Sequence, residues 1–353
     1  MKKVDYIVVG QGLAGTCLAF QLRLQNKSVL VVDKHRETSS SKVALGVYNP
    51  MVLKRFTPCW KVEEQLVDLY NFLDIFENTF NQNIHIRLKL LRRFNSVFEQ
   101  NLWSEKSQNL KSGIYMSPKL VFCNNPYINS DFGFGEVYCA GKVDLFKMIS
   151  LFKDRLISEG MFLDEEFDFS SLNFENNSVL YHSCRASKIV FCEGSRMIKN
   201  PFFNHLPLIR TKGELITVEL KNLMVKELLK SSITLLPLGM DIYKVGSTFN
   251  WKQKDEICTQ LAKFELLDKL NDLVRISPKL ISHQAGLRPT VKDRRALLGK
   301  HSKYSQVYIF NGLGTRGLLL APYLSLKLIQ HMESGYPLDS EIDIKRFQHY
   351  PIC

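Results

Sequence analysis

The residues with the clearest chemical capacity lie at the two ends of the chain. Gly10-Gln11-Gly12-Leu13-Ala14-Gly15 follows directly on the apolar run Val4 to Val9 and has the spacing of a phosphate cradle. In such a cradle Gly10 permits the tight turn, Gly12 lets the backbone approach a pyrophosphate, and Gly15 lets the helix pack closely on the strand. Asp33 stands 23 positions after Gly10, where an acid can take ribose hydroxyls. That acid favours FAD or NAD over NADP; the motif by itself does not separate the first two. The second cluster, Asn311-Gly312-Leu313-Gly314-Thr315-Arg316-Gly317, follows Val307 to Phe310 and points back to the same cofactor.

Both clusters require a strand before them and a helix after. Val4 to Val9 is β-branched and apolar, as expected of a strand buried on both faces. A helix over 13–26 would present its N-terminal N–H groups and positive dipole end to phosphates, and Ser28 to Val32 reads as the second strand. Trp60 to Phe80 reads as an amphipathic helix, with Leu66, Leu69, Leu73 and Phe76 at helical spacing. Residues 84–98 read as strands, with His85, Arg87 and Lys89 on a wet face, and residues 100–135 as loop-rich. A helix is expected over 142–158. Strands are expected over 162–169, 179–182, 187–192, 214–219, 233–237 and 241–247, then a helix over 255–275 with acids in its first turn. The last unit is strand, glycine turn and helix over 307–332. Thr38 to Lys42 is polar and leads into a small apolar loop stopped by Pro50.

This order predicts an α/β fold: a Rossmann-like cofactor domain with a parallel sheet, interrupted by a mostly antiparallel β substrate domain. The expected division is 1–80, 136–200 and 281–353 for the cofactor domain, and 81–135 and 201–280 for the substrate domain. A contiguous two-domain dehydrogenase is the alternative. The chain has 353 residues, 45% of them hydrophobic, enough for a sizeable core. No apolar run approaches the ~18 residues of a membrane helix. The eight cysteines and eight histidines are scattered, without a CxxC pair or metal-ligand spacing. We therefore expect reduced thiols and no metal. Asp5 interrupts any signal-like start, and a cytoplasmic protein is expected. The net charge of +12 gathers in part over 84–93. A solvated face is the simpler reading of that run, and an RNA footprint the other.

Ala285-Gly286-Leu287-Arg288-Pro289-Thr290-Val291-Lys292-Asp293, the C-terminal glycine cluster through Ala321-Pro322, and the N-terminal cradle together resemble the D-amino-acid oxidase family of FAD enzymes. The resemblance implies non-covalent FAD, since the cysteine that tethers it in some members is missing near Leu287. It places Gly10, Gly12, Leu13, Ala14, Gly15, Asp33 and Lys34 on the ADP half. Ser40, Ser41, Gly46 and Val47 would run beside the flavin, and Glu193-Gly194 would pass near the adenosine. Gly312, Leu313, Gly314, Thr315 and Gly317 would approach the pyrimidine end of the ring, where a helix N-terminus suits negative charge. Arg288 matches the arginine that holds a substrate carboxylate, whose two oxygens meet two parallel N–H donors of a guanidinium. Arg316 matches a second arginine nearby. An ion pair of Arg288 with Asp293 and a helix cap by Arg316 are the alternatives. The family tyrosine beside the carboxylate falls near Thr234, with Tyr243 or Tyr48 as substitutes. The implied activity is oxidation of a carboxylate-bearing amine or amino acid by hydride transfer to the flavin, with hydrolysis of the imine and reoxidation by O2. A second family activity, removal of a carboxymethyl group from a tRNA wobble uridine, would make tRNA a partner; the segment Asn49-Pro50 to Arg55 resembles that branch.

Overall fold

The computed structural model describes residues 1–34 and 39–347, so Thr38 lies outside the described residues. Strand Lys2–Val9 is almost wholly buried over its second half, and its polar exception is handled locally. The Asp5 carboxylate accepts from the backbone N–H and hydroxyl of Ser28, both at 2.7 Å. The Ser28 hydroxyl bond is the main reason its pKa lies below the ordinary range. Helix Leu13–Leu24 begins at Gly12, which has no side-chain cap. Phe20 locks this helix in place: its ring meets those of Phe72, Phe76 and Phe152 at 5.5, 4.9 and 5.8 Å between centroids. Each such pair contributes about 0.5–1.5 kcal/mol beyond area burial. The glycine turn is thereby held by helices Val62–Phe80 and Leu145–Ser158.

The first sheet has eight strands. Lys2–Val9 pairs in parallel with Val29–Val32 on one side and Cys184–Phe191 on the other. Cys184–Phe191 in turn pairs in parallel with Val307–Asn311. Chain start and chain end thus meet across one strand, as glycine clusters serving one cofactor require. Helices Leu13–Leu24, Val62–Phe80 and Gly317–Ser334 pack together on one face. An aromatic-rich cluster around Phe167, Tyr181, Phe191 and Phe203 fills the other.

The second sheet also has eight strands, in the order Lys279–Val291, Leu208–Glu219, Ile242–Gly246, Thr234–Gly239, Leu228–Lys230, Leu90–Arg93, Phe134–Val137, Met116–Val121. All neighbours run antiparallel except Leu228–Lys230 with Leu90–Arg93. Helix Gln260–Leu273 covers one face through Leu266, Leu270 and Leu273. The fold is therefore the expected α/β architecture, a parallel-sheet unit joined to a mostly antiparallel one.

Several elements differ from expectation for identifiable reasons. Residues 100–135 are less loop-rich than expected: they hold most of helix Val97–Ser107, capped by Ser96, then strand Met116–Val121. The helix was illegible because Trp103 and Ser107 are its only buried residues. The basic run over 84–93 divides: Arg87 and Lys89 are exposed, as expected, whereas Arg92 and Arg93 are buried. His85–Arg87 joins a small three-stranded sheet, whereas all of Leu90–Arg93 is buried in the second large sheet. Arg92 pairs with Glu99 at 2.9 Å and Arg93 with Asp272, so these arginines hold the fold together instead of facing a polyanion. Residues 162–169 shrink to a two-residue strand, Phe162–Leu163. The helix expected over 255–275 starts only at Gln260, capped by the Thr259 hydroxyl, and has no acid in its first turn. Strand Lys279–Val291, 13 residues long, lies in the second sheet, so that residues 281–291 run there.

Candidate functional site

A cavity of about 1110 Å³ runs between the two sheets. That exceeds the ~300–1,000 Å³ of a pocket for a drug-sized ligand. Its lining holds Gly10, Gly12, Leu13, Ala14, Asp33, Lys34, Ser40, Ser41, Gly46, Val47, Glu193, Gly194, Leu313, Gly314, Thr315, Gly317, Arg288 and Arg316. Two expected residues, Gly15 and Gly312, are not in the lining and act by close packing. A Cβ on Gly15 would stand 1.8 Å from the Gly10 carbonyl oxygen; one on Gly312 would stand 2.6 Å from a Val291 methyl.

Sequence and backbone explain why the first turn can hold phosphates. Gly10 has φ +97°, and a Cβ there would meet the Cys192 carbonyl oxygen at 2.6 Å. Only glycine passes at that point. The following helix has no side-chain cap at Gly12, although Ser41 Oγ accepts the Leu13 N–H at 3.0 Å. The C-terminal helix Gly317–Ser334 likewise starts without a side-chain cap. Two helix N-termini therefore open on one cavity, each with a positive dipole end. Asp33 is largely enclosed, which raises its pKa; the Gln11 backbone N–H bonds to it and opposes that rise. Burial pushes Glu193 up to about 7, against a hydrogen bond donated by Asn200 Nδ2 at 2.6 Å. Asn311 Nδ2 donates to the Gly194 carbonyl at 3.0 Å, tying the two halves of the cradle together. These residues fit FAD: glycine backbone and helix ends for the pyrophosphate, a recessed carboxylate for the ribose.

Both arginines face the cavity without a carboxylate partner among the described residues. Arg288 Nη2 donates to Ser247 Oγ at 2.6 Å and Nη1 to the Thr248 carbonyl at 3.3 Å, and the guanidinium lies 4.4 Å from the Phe249 ring centroid. Burial alone brings its pKa down to about 10. Asp293 pairs instead with Arg346 Nε at 2.8 Å, so the ion pair Arg288–Asp293 is not formed. Arg316 occupies the N-cap position of the last helix without capping it by its side chain; its guanidinium lies against Cys59 and the Met51 carbonyl. Tyr243 does not line the cavity: its hydroxyl bonds the Val225 backbone inside the second core. Tyr48 does line it, with its hydroxyl 2.7 Å from His85 Nε2, and so does Thr234.

Sequence reasoning missed Ser247, Phe249 and Lys230 in the lining. Lys230 left one signal, a lone lysine after Leu228-Leu229 in a short apolar strand. It also missed a buried network on the other side of Leu208–Glu219. There Lys212 pairs with Asp255 at 2.7 Å and lies 3.6 Å from Glu214, which accepts from the Thr259 backbone N–H at 2.8 Å and hydroxyl at 2.9 Å. The Glu214 carboxylate is 2.9 Å from His283 Nε2, and Cys258 is close by.

The chain belongs to the family described as FAD dependent oxidoreductase (DAO), whose profile matches residues 5–330. FAD is thus the cofactor of the class that this site and fold define. The structure is similar to glycine oxidase from Bacillus cereus ATCC 14579, at 18% identity over 95% of this chain and 96% of that one, with a TM-score of 0.77. It is similar to glycine oxidase from Geobacillus kaustophilus at 15% identity, covering 100% and 99% of the two chains, with a TM-score of 0.80. Iminodiacetate oxidase (IdaA) from Chelativorans sp. BNC1 gives 17% identity, 99% of each chain and a TM-score of 0.76. At such identities the likeness establishes the fold. Among the described residues no helix is long and apolar enough to cross a membrane.

Proposed function

We propose that this protein oxidises a small amine or amino acid bearing a carboxylate, with FAD held non-covalently along the cavity. The observation that carries the reading is Arg288: a desolvated guanidinium, without an acidic partner, facing the same cavity as the glycine turns. A buried cation of this kind is stabilised by an anion that arrives with the ligand. Ser247, the Thr248 carbonyl and Phe249 fix the plane of the fork and leave its other N–H donors for two carboxylate oxygens. Arg316, held at the start of the last helix, adds positive charge to the same end. Bound FAD supplies the two-electron acceptor for breaking the substrate C–H bond. The protein orients the amine by its carboxylate and shields it from water. Cys192, in the cavity lining, has its thiol held protonated by burial, which favours a cofactor kept without a covalent link. The segments 1–80, 136–200 and 281–353 would hold the cofactor, and 81–135 and 201–280 would shape the substrate end, with the 279–291 strand carrying Arg288 between them.

The test is the visible spectrum of the purified protein, repeated anaerobically with amino acids, N-methylated amines and carboxymethylaminomethyl-uridine. A flavin band bleached by a carboxylate-bearing amine is expected. A flavin band that none of them bleaches defeats the amine reading, and bleaching by the modified uridine alone transfers the activity to RNA.

A further inference from the structure

The second sheet carries a polar row toward the cavity that Arg288 does not account for. Register fixes the row: Leu215 pairs with Gly246, Gly246 with Thr234, and Thr234 with Lys230. Cross-strand partners share a face, and Leu215, Thr234, Lys230 and Arg288 all line the cavity. The Arg288 head is bonded to Ser247, next to Gly246. Neighbouring strands lie about 4.8 Å apart. The guanidinium itself lies over Gly213, two residues along Leu208–Glu219 from Leu215 and three strand spacings from Leu228–Lys230, so the guanidinium and the Lys230 backbone are about 15 Å apart, part of which the lysine stem can span. Thr234 stands between them, at the place where the family resemblance puts a tyrosine. Its short side chain leaves the row open.

Lys230 is, with Arg288, a cation of that row without an acid among the described residues. No hydrogen bond or ion pair holds its ammonium among the described residues, and the charges that reach it are those of Arg92 and Lys269. Each of those already has its own carboxylate, Arg92 that of Glu99 and Lys269 that of Glu265. Burial, reinforced by those two like charges, pulls the Lys230 ammonium down to about 8. An unpaired cation in such a place is costly, and an anion brought by the ligand relieves it.

We propose that Lys230 seats a second anionic group of the substrate, so that the site takes an amine bearing two acids, one on Arg288 and one on Lys230, with the Thr234 hydroxyl between them. The proposal rests on the amine-oxidation reading above and narrows its substrate class. The second acid is a carboxylate or a phosphonate, both of which an ammonium can hold as a point charge.

The test titrates the FAD-loaded protein with probes that cannot be oxidised: propionate, succinate, glutarate and 3-phosphonopropionate. Perturbation of the flavin band and the thermal shift are the readouts. One charge-assisted contact predicts dianions binding about 10–100-fold tighter than propionate. Whether a dicarboxylate or the phosphonate binds tighter names the second group. Lys230→Met should collapse the dianion-to-monoanion ratio toward one, and Lys230→Arg should restore it. Equal affinities in the unmodified protein overturn the proposal without recourse to any variant. So does a ratio that survives in Lys230→Met, or in Lys230→Gln should the methionine variant not fold. Anaerobic reduction by aspartate and glutamate against glycine and alanine is run alongside. Reduction by none of the four counts against amine oxidation, while the titration still decides the role of Lys230.

Discussion

Gly213 is the surface on which Arg288 lies, and it allows the guanidinium to be moved without removing its charge. An ideal Cβ on Gly213 would stand 2.2 Å from Arg288 Cζ and 2.1 and 2.2 Å from the terminal nitrogens. Ordinary contact begins at 3.4 Å, so Gly213→Ala must displace the head by the difference between 3.4 and 2.2, about 1.2 Å. The head is the far end of a flexible side chain and yields before the sheet does. Its 2.6 Å bond to Ser247 does not survive such a shift. A hydrogen bond to a charged group contributes about 1.5–3 kcal/mol, and misplacing a positioning group by about 1 Å can cost ~10²-fold in rate. We expect kcat/KM for the reducing amine to fall about 100-fold, equivalent to ~2.7 kcal/mol, and the Kd of a carboxylate inhibitor to rise in parallel. FAD content should be retained. Steady-state kinetics with an inhibitor titration measures both. Full activity with an unchanged inhibitor Kd would refute the assignment of this guanidinium as the anion anchor.

Gly15→Ala drives a methyl group into the Gly10 carbonyl, where backbone opposes it, so the purified variant should lose its flavin band; a normal band would show that the cradle tolerates the displacement. Glu193 is an acid whose folded pKa is raised by burial, so the folded state holds its proton more tightly than the unfolded state. Its contribution to stability is then fully present below pH 4.5 and is lost as pH rises through about 7; the rise from 4.5 to about 7 is worth about 3 kcal/mol. Denaturation at pH 5 and pH 8 should show this slope in the unmodified protein and a flatter one in Glu193→Gln. Lys212→Met removes the cation beside the Glu214 carboxylate, 2% exposed, and leaves it only its contacts with Thr259 and His283, which should cost about 3 kcal/mol in urea unfolding. The low end of the usual range applies because Asp255, its other partner, is half exposed; an unchanged midpoint would show that the pair does not hold the loop.

The parts of the fold legible in sequence are those whose constraints are local. A β-branched run ending in Gly10, a helix within four residues and an acid at the end of the next strand determine one another over some thirty positions. The unit from Val307 to Met332 is of the same kind. Strand Lys279–Val291 escaped because Gly286 and Pro289 break its pattern, and what keeps it extended is 12 register partners in Leu208–Glu219, 60 or more positions away. The arginines at 92 and 93 looked like a solvated strip because Glu99 and Asp272, which neutralise them, are invisible to local periodicity. Arg288 was legible through its surrounding motif. Lys230 was not, since its significance lies in which acids its neighbours have already taken.

Strand Cys184–Phe191 receives Lys2–Val9 along one edge and Val307–Asn311 along the other. During synthesis the first partner is long finished before the second leaves the ribosome. In that interval the edge at Ile189–Phe191 is bare and the cavity lacks the wall made by the last glycine turn. Unpaired edges of this kind invite association with other chains, and contacts so distant in sequence form slowly. Flavin capture is therefore a late event in the life of the chain. A product truncated before residue 307 lacks the second glycine turn and the helix after it, and we expect it to retain less flavin than the 353-residue chain.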